Sequence, residues 1–192
     1  MTSFILQSVN TPGDGNCFYY SFLQCLLEKQ ISKEEVLQFK SNLASSLSPM
    51  SLLPFLKEEV QLIISKQVEN HPELKKLVET DFDEAIQHHD INQLLVRILN
   101  HFKMQLEADG IWPEDWAQQY CAKYHKVNIL VYIDSCKLFS PIFSIVEDWP
   151  VIILYNKSNL HWESGILIVK RENEPDKIYW KYSYNVVKNL IT

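Results

Sequence analysis

The hydrophobic pattern of the chain changes period once. Through the first two-thirds, apolar side chains recur three and four residues apart, the spacing of one helix face. Beyond residue 126 they come instead as β-branched and aromatic runs cut by turn residues. SFILQSV (3–9) reads as a short strand or extended entry, and the turn-rich TPGDGN follows it. CFYYSFLQCLLEK then predicts a helix with Phe18, Phe22, Cys25 and Leu26 on one stripe. Ser32 and Glu35 have capping-box spacing and open a second helix through about Leu47. SPMSLLP is a break, and LLPFLKEEVQLIISKQV predicts a third helix. Residues 72–89 suit one or two short helices. Asp90 is placed to cap a longer one carrying Ile91, Leu94, Leu95, Ile98, Leu99 and Phe102 at helical spacing. After ADGIWP a helix over about 114–125 is expected. VNILVYI (127–133), PVIILY (150–155), HWESGILIVK (161–170) and KIYWKYS (177–183) are the expected strands. Helices first and strands last predict a sheet with helices packed around it, within one domain spanning 1–192.

Composition narrows the classes of function. A chain of 192 residues with 46% hydrophobic and 12% aromatic content can bury a core and is not disordered. Its net charge of −6, without a Lys/Arg run, argues against nucleic acid and anionic membrane as partners. Cys17, Cys25, Cys121 and Cys136 have no metal-finger spacing and are too few for a disulfide framework, so a reducing compartment, the cytoplasm, is expected. MTSFILQSVN lacks the basic and long apolar regions of a signal peptide, and no window suits a transmembrane helix. Neither a metal nor a cofactor is expected, and a monomer is the simplest reading.

The stretch GDGNCFYYSF (13–22) sets Cys17 at the seam between a tight turn and a helix start. Unpaired N–H groups and the positive end of the helix dipole favour a thiolate at such a seam. Gly13 and Gly15 allow backbone angles that aim turn N–H groups inward, as an oxyanion hole requires. The alternative is a capping turn with Cys17 as a small apolar filler. His161 follows the turn NKSNL and opens a strand, where a rigid scaffold presents reactive groups. Residues i and i+2 share one strand face, so Glu163 can stand beside the His161 ring while Trp162 points away. Its plain alternative is a strand-end histidine with an incidental glutamate. Of the other histidines, His71 reads as loop, His88 and His89 as a solvated helix end, and His101 and His125 as helix residues. Cys25, Cys121 and Cys136 read as packing residues.

DGNCFYYSF (14–22) resembles the cysteine motif of the ovarian tumour (OTU) family of deubiquitinating cysteine proteases. IWPEDWAQQYCAKYHKVNILVYI (111–133) resembles the family's tryptophan-led helix before a central strand, and VIILYNKSNLHWES (151–164) resembles its histidine motif. The three blocks stand in the family's order. The resemblance implies an α+β, papain-like OTU fold with a mostly antiparallel central sheet flanked by helices. It implies an isopeptidase whose partners are ubiquitin, polyubiquitin chains and ubiquitinated proteins. By the same resemblance Cys17 is the nucleophile, His161 the base, and Asp14 part of the active site, with Asp14, Gly15, Asn16 and Cys17 forming the oxyanion-hole loop. Glu163 stands where the family usually has Asp or Asn, and Asn10, upstream of the cysteine loop, is the alternative third triad member. The helical stretch from about 32 to 107 matches no part of the family's motifs and is expected to contribute to ubiquitin binding. The other readings are a catalytically weak ubiquitin-binding protein and another papain-like cysteine hydrolase. The chain's Ile, Asn and Lys richness suits an effector acting in a host cytosol.

Overall fold

The protein is described by a computed structural model over residues 2–49, 51–52, 76, 80, 84, 89–158 and 160–191. The chain forms two compact units, Met1–Phe39 with Asp109–Thr192, and Lys40–Ala108. The expected third helix and the short helices over 72–89 lie outside the described residues, apart from isolated positions.

The first unit is built on a mixed sheet of strands β1 (Thr2–Val9), β2 (Asn128–Ile133), β3 (Leu138–Pro141), β4 (Val151–Lys157), β5 (His161–Arg171) and β6 (Lys177–Tyr179). Their order is β1-β5-β4-β2-β3, with β6 also on β5. Only β2 and β4 run parallel; the other pairings are antiparallel. The period change predicts a sheet with helices packed around it, and the sheet is the mostly antiparallel one, in an α+β fold, that the resemblance implies. β3 is a short, mostly exposed edge strand that the pattern does not announce, because LFSP carries no buried face and ends on proline. β6 stops at Tyr179, shorter than the expected run to Ser183. Tyr182 leaves that line and makes an isolated bridge to Val151.

Helix α1 (Cys17–Leu27) packs against β5 and β4, and its residues from Cys17 to Cys25 are all buried. Burial thus extends round the helix beyond the expected stripe of Phe18, Phe22, Cys25 and Leu26, as it does for a helix inside a domain. Phe18 stacks on Phe22 at 6.0 Å and meets Trp162 of β5 edge-on at 5.4 Å. Ser164 Oγ lies 3.1 Å from the Ser21 carbonyl oxygen and 2.5 Å from Gln24 Oε1, and its single proton shared between these acceptors stitches β5 to α1. Burying each such aromatic contributes about 1.5–3 kcal/mol, so α1 is held mainly by its ring contacts. On the other face of the sheet, Leu130, Val151, Ile153, Leu167, Val169, Tyr182 and Val187 form a second cluster. Val187 comes from a C-terminal helix, Tyr184–Ile191, absent from the sequence expectation.

The helix Lys33–Ser46, α2, opens with the expected capping box. Glu35 N–H donates to Ser32 Oγ at 3.2 Å, and Ser32 N–H to Glu35 Oε2 at 2.8 Å. In the second unit, helix α3 (His89–Glu107) buries Leu95, Leu99 and Leu106. Lys40 is fully buried there, with its ammonium donating to the Ala108 carbonyl at 2.5 Å. Helix α4 (Asp115–Tyr124) returns the chain to the sheet and leads into β2. No described helix is long and apolar enough to cross a membrane.

Candidate active site

Strand register brings the two ends of the site together. β1 pairs with β5 so that Val9 faces Ser164 and Ser8 faces Gly165. Continued by two residues, the same register carries Thr11 opposite Trp162, next to His161. The chain then turns through Pro12–Asn16 and enters α1 at Cys17. The start of β5 and the start of α1 thus meet, although more than 140 residues separate them in sequence.

Cys17 is buried at the first position of α1. Backbone N–H groups of Trp162, Phe18 and Cys17 itself bear on its sulfur. These donors favour the thiolate. Burial outweighs them, with a smaller push from the Asp14 carboxylate, so the thiol is held above its ordinary value of 9.0. A helix N-terminus by itself would lower it. Desolvation, which a sequence does not display, reverses the sign.

The turn before Cys17 is clamped. Gly15 has φ +84°, and a Cβ there would lie 2.1 Å from the Gly110 carbonyl oxygen, so a side chain is excluded. Asn16 is fully buried and precedes the helix, yet its side chain makes no capping bond. It donates instead to Asp109 Oδ1 at 2.7 Å and accepts from the Gly110 N–H at 3.2 Å. Asp14 accepts from the Asn16 N–H at 3.1 Å and from the Tyr20 hydroxyl at 3.4 Å. Lys33 bridges Asp109 at 2.8 Å and Asp14 at 3.9 Å. The Asn16 N–H is therefore taken up by Asp14, whose hydrogen bonds hold the loop. No sequence motif joins Asp109, Gly110 and Lys33 to residues 14–16.

His161 is half-buried at the start of β5. Among the described residues, the hydrogen-bond partner of its ring is Thr11, with Oγ1 3.4 Å from Nε2. Thr11 is 3% exposed, and its hydroxyl also donates a short bond to the Trp162 carbonyl. Glu163 shares the strand face with His161, as alternation expects, but its hydrogen bonds run elsewhere. Its Oε2 lies 2.6 Å from Lys157 Nζ, and the Ser8 hydroxyl donates to the same carboxylate. Burial pushes the Glu163 carboxyl up, while Lys157, Ser8 and the charge interaction with His161 together hold it below the usual 4.5. Asn10 is exposed at the end of β1. No local sequence pattern singles out Thr11. The one signal it offered is a threonine placed before a proline where a strand ends.

Other candidates fall away from this cluster. Cys25 is buried with its sulfur 3.7 Å from the Ile153 carbonyl, and burial pushes its thiol to about 12. Cys121 is buried too, as a packing residue should be. Cys136 is not: it is exposed in the turn between β2 and β3, which corrects the expectation that it packs. His125 meets Phe22 edge-on and lies tilted against Phe39, and burial lowers its basicity. His101 is exposed on α3, and His71 and His88 lie outside the described residues. No group of three or more metal-ligating side chains occurs among the described residues.

Solved structures to which the chain is similar are ovarian tumour domains. The Hazara virus OTU bound to ubiquitin is 13% identical with a TM-score of 0.45, covering 84% of this chain and 81% of its own. An OTU deubiquitinase from Wolbachia pipientis wMel is 14% identical with a TM-score of 0.47, covering 83% and 87%. The viral OTU domain protease from Farallon virus is 15% identical with a TM-score of 0.47, covering 86% and 89%. No protein-family model matches the sequence, and no curated protein matches it significantly.

Proposed function

We propose that the protein is a ubiquitin-directed cysteine isopeptidase, with Cys17 as nucleophile and His161 as base. The observation that carries this reading is the seating of the Cys17 thiol. It stands at a helix start, beside the N–H of the residue peptide-bonded to His161, behind a clamped glycine turn. A packing cysteine needs none of those three features. The choice of ubiquitin rests on the resemblance of residues 14–22, 111–133 and 151–164 to the ovarian tumour motifs.

The chemistry follows from the resting state of the thiol. Burial disfavours the Cys17 thiolate, so His161 must take the thiol proton for the sulfur to attack. As the sulfur bonds to the isopeptide carbonyl carbon, His161 takes the thiol proton and the carbonyl oxygen gains negative charge. Backbone N–H groups at the α1 start are suited to receive that oxyanion. Collapse breaks the C–N bond, and His161 returns the proton to the departing lysine amine, leaving a thioester on Cys17. Water then attacks the thioester carbon and gives a proton to His161. The C–S bond breaks, and the ubiquitin carboxylate and the Cys17 thiol are regenerated.

A ubiquitin carrying a C-terminal electrophile tests the assignment. Covalent capture at Cys17, lost in Cys17→Ala and in His161→Ala, is the expected result. Turnover of diubiquitin by Cys17→Ala at the wild-type rate overturns it. Non-covalent retention of the probe by the unmodified protein would favour a ubiquitin-binding role without hydrolysis.

A further inference from the structure

We propose that Thr11 is the positioning residue of His161, fixing its tautomer through the side-chain hydroxyl in the place where a carboxylate or amide would ordinarily stand. The proposal rests on the reading of His161 as the base.

A hydroxyl has one proton, and in Thr11 that proton is directed to the Trp162 carbonyl. Toward His161 Nε2, 3.4 Å away, the oxygen can therefore only accept. An attractive contact then requires the hydrogen of the neutral ring to sit on Nε2, which leaves Nδ1 as the basic nitrogen. Donation to the carbonyl also polarises the hydroxyl and makes it a better acceptor. The 3.4 Å separation is long for a finished bond, as orienting contacts often are before substrate binds.

The side chain is fixed at every joint that could loosen it. Pro12 follows Thr11 and confines the Thr11 backbone to extended angles. Branching at Cβ restricts χ1. The register of β1 on β5 fixes its height against Trp162 and His161. Burial of Thr11 to 3% exposure keeps water from competing for its hydroxyl.

The two residues expected in this role are otherwise placed. Glu163 is bonded to Lys157 and Ser8 and reaches His161 only as a charge. Asn10 is exposed. The structure thus divides a task that one aspartate can perform alone: Thr11 fixes the tautomer, and Glu163 contributes the field that favours the imidazolium formed during attack. A threonine cannot accept the proton of the imidazolium, so orientation is separated from charge.

Nitrogen-detected NMR of the His161 ring in the full chain reads the tautomer directly. The wild type should show Nε2 protonated and Nδ1 bare once the ring is neutral. Thr11→Val should lose that preference and reduce kcat about ten- to a hundredfold with KM little changed, while Thr11→Ser should restore both. Glu163→Gln should leave the tautomer as it is. A wild-type ring protonated on Nδ1, or a folded Thr11→Val with unaltered tautomer and kcat, overturns the proposal. The wild-type spectrum is decisive even if the valine variant fails to fold. Because it needs no substrate, its failure is distinct from failure of the isopeptidase reading, which appears as absence of probe capture at Cys17.

Discussion

Lys157 holds Glu163 by a 2.6 Å contact between Nζ and Oε2, across the β4–β5 pair in which Lys157 faces His161 and Tyr155 faces Glu163. The lysine is partly exposed and the glutamate is not, so the pair places a carboxylate under the site with its cation at the rim. Had Glu163 bonded the ring, Lys157 would have no role here. As it stands, the carboxylate acts on His161 through space.

Glu163 should make the protein more sensitive to acid. Its folded-state pKa lies below the unfolded value near 4.5, so the stability it contributes is present above that pH and is lost as pH falls below it. The melting temperature of Glu163→Gln should trail the wild type at pH 7, and the gap should close as pH falls below 4.5. A gap constant over that range would show that the pair does not titrate with folding. Lys157→Ala, which strands a buried carboxylate, should cost about 1–3 kcal/mol at pH 7 by denaturant titration.

The thiol of Cys17 should prove sluggish without its base. In His161→Ala, alkylation of the Cys17 peptide by iodoacetamide, read by mass spectrometry, should still be rising at pH 9. Burial holds the thiol above its ordinary value, and the three N–H groups only partly offset it. A midpoint near neutrality would mean that the helix start outweighs desolvation.

Gly15 and Gly13 share a turn but should respond oppositely to alanine. At Gly15 the new Cβ meets the Gly110 backbone and a positive φ, whereas nothing lies within 4 Å of the same atom at Gly13. Gly15→Ala should lose about 2–5 kcal/mol of stability and most probe capture. Gly13→Ala should stay within about 0.5 kcal/mol of the wild type. Equal behaviour in thermal melts would remove the close approach to Gly110 from the account.

The Asn16 clamp should matter more for the loop than for the helix. Asn16→Ala removes the bonds to Asp109 and Gly110 but no capping bond, since none is made. A cost of about 1–3 kcal/mol is expected. Probe capture should slow while helical circular dichroism is unchanged. Asn16→Asp sets two carboxylates against each other at Asp109 and should do worse than alanine; the reverse order in a denaturant series would count against the clamp.

Local pattern determined much of this protein. α1, α2 and α4 start within a residue of where capping and apolar spacing put them, and β2, β4 and β5 follow their β-branched runs. The capping box of Ser32 and Glu35 is a four-residue device, so sequence alone specifies it completely. The same holds for the meeting of a thiol, a glycine turn and a helix start at residues 13–17, all neighbours in the chain. β3 escaped because a four-residue edge strand has no buried face to impose alternation. Only tertiary structure decided the partner of His161. Alternation correctly put Glu163 on its face, but Lys157 and Ser8 arrive from two other strands and take up the carboxylate. Thr11 reaches the ring because the β1–β5 register sums positions 150 residues apart, and no local window contains that sum. The acidity of Cys17 followed the same rule. The dipole that would lower it can be read from the sequence, whereas the burial that raises it belongs to the packed protein.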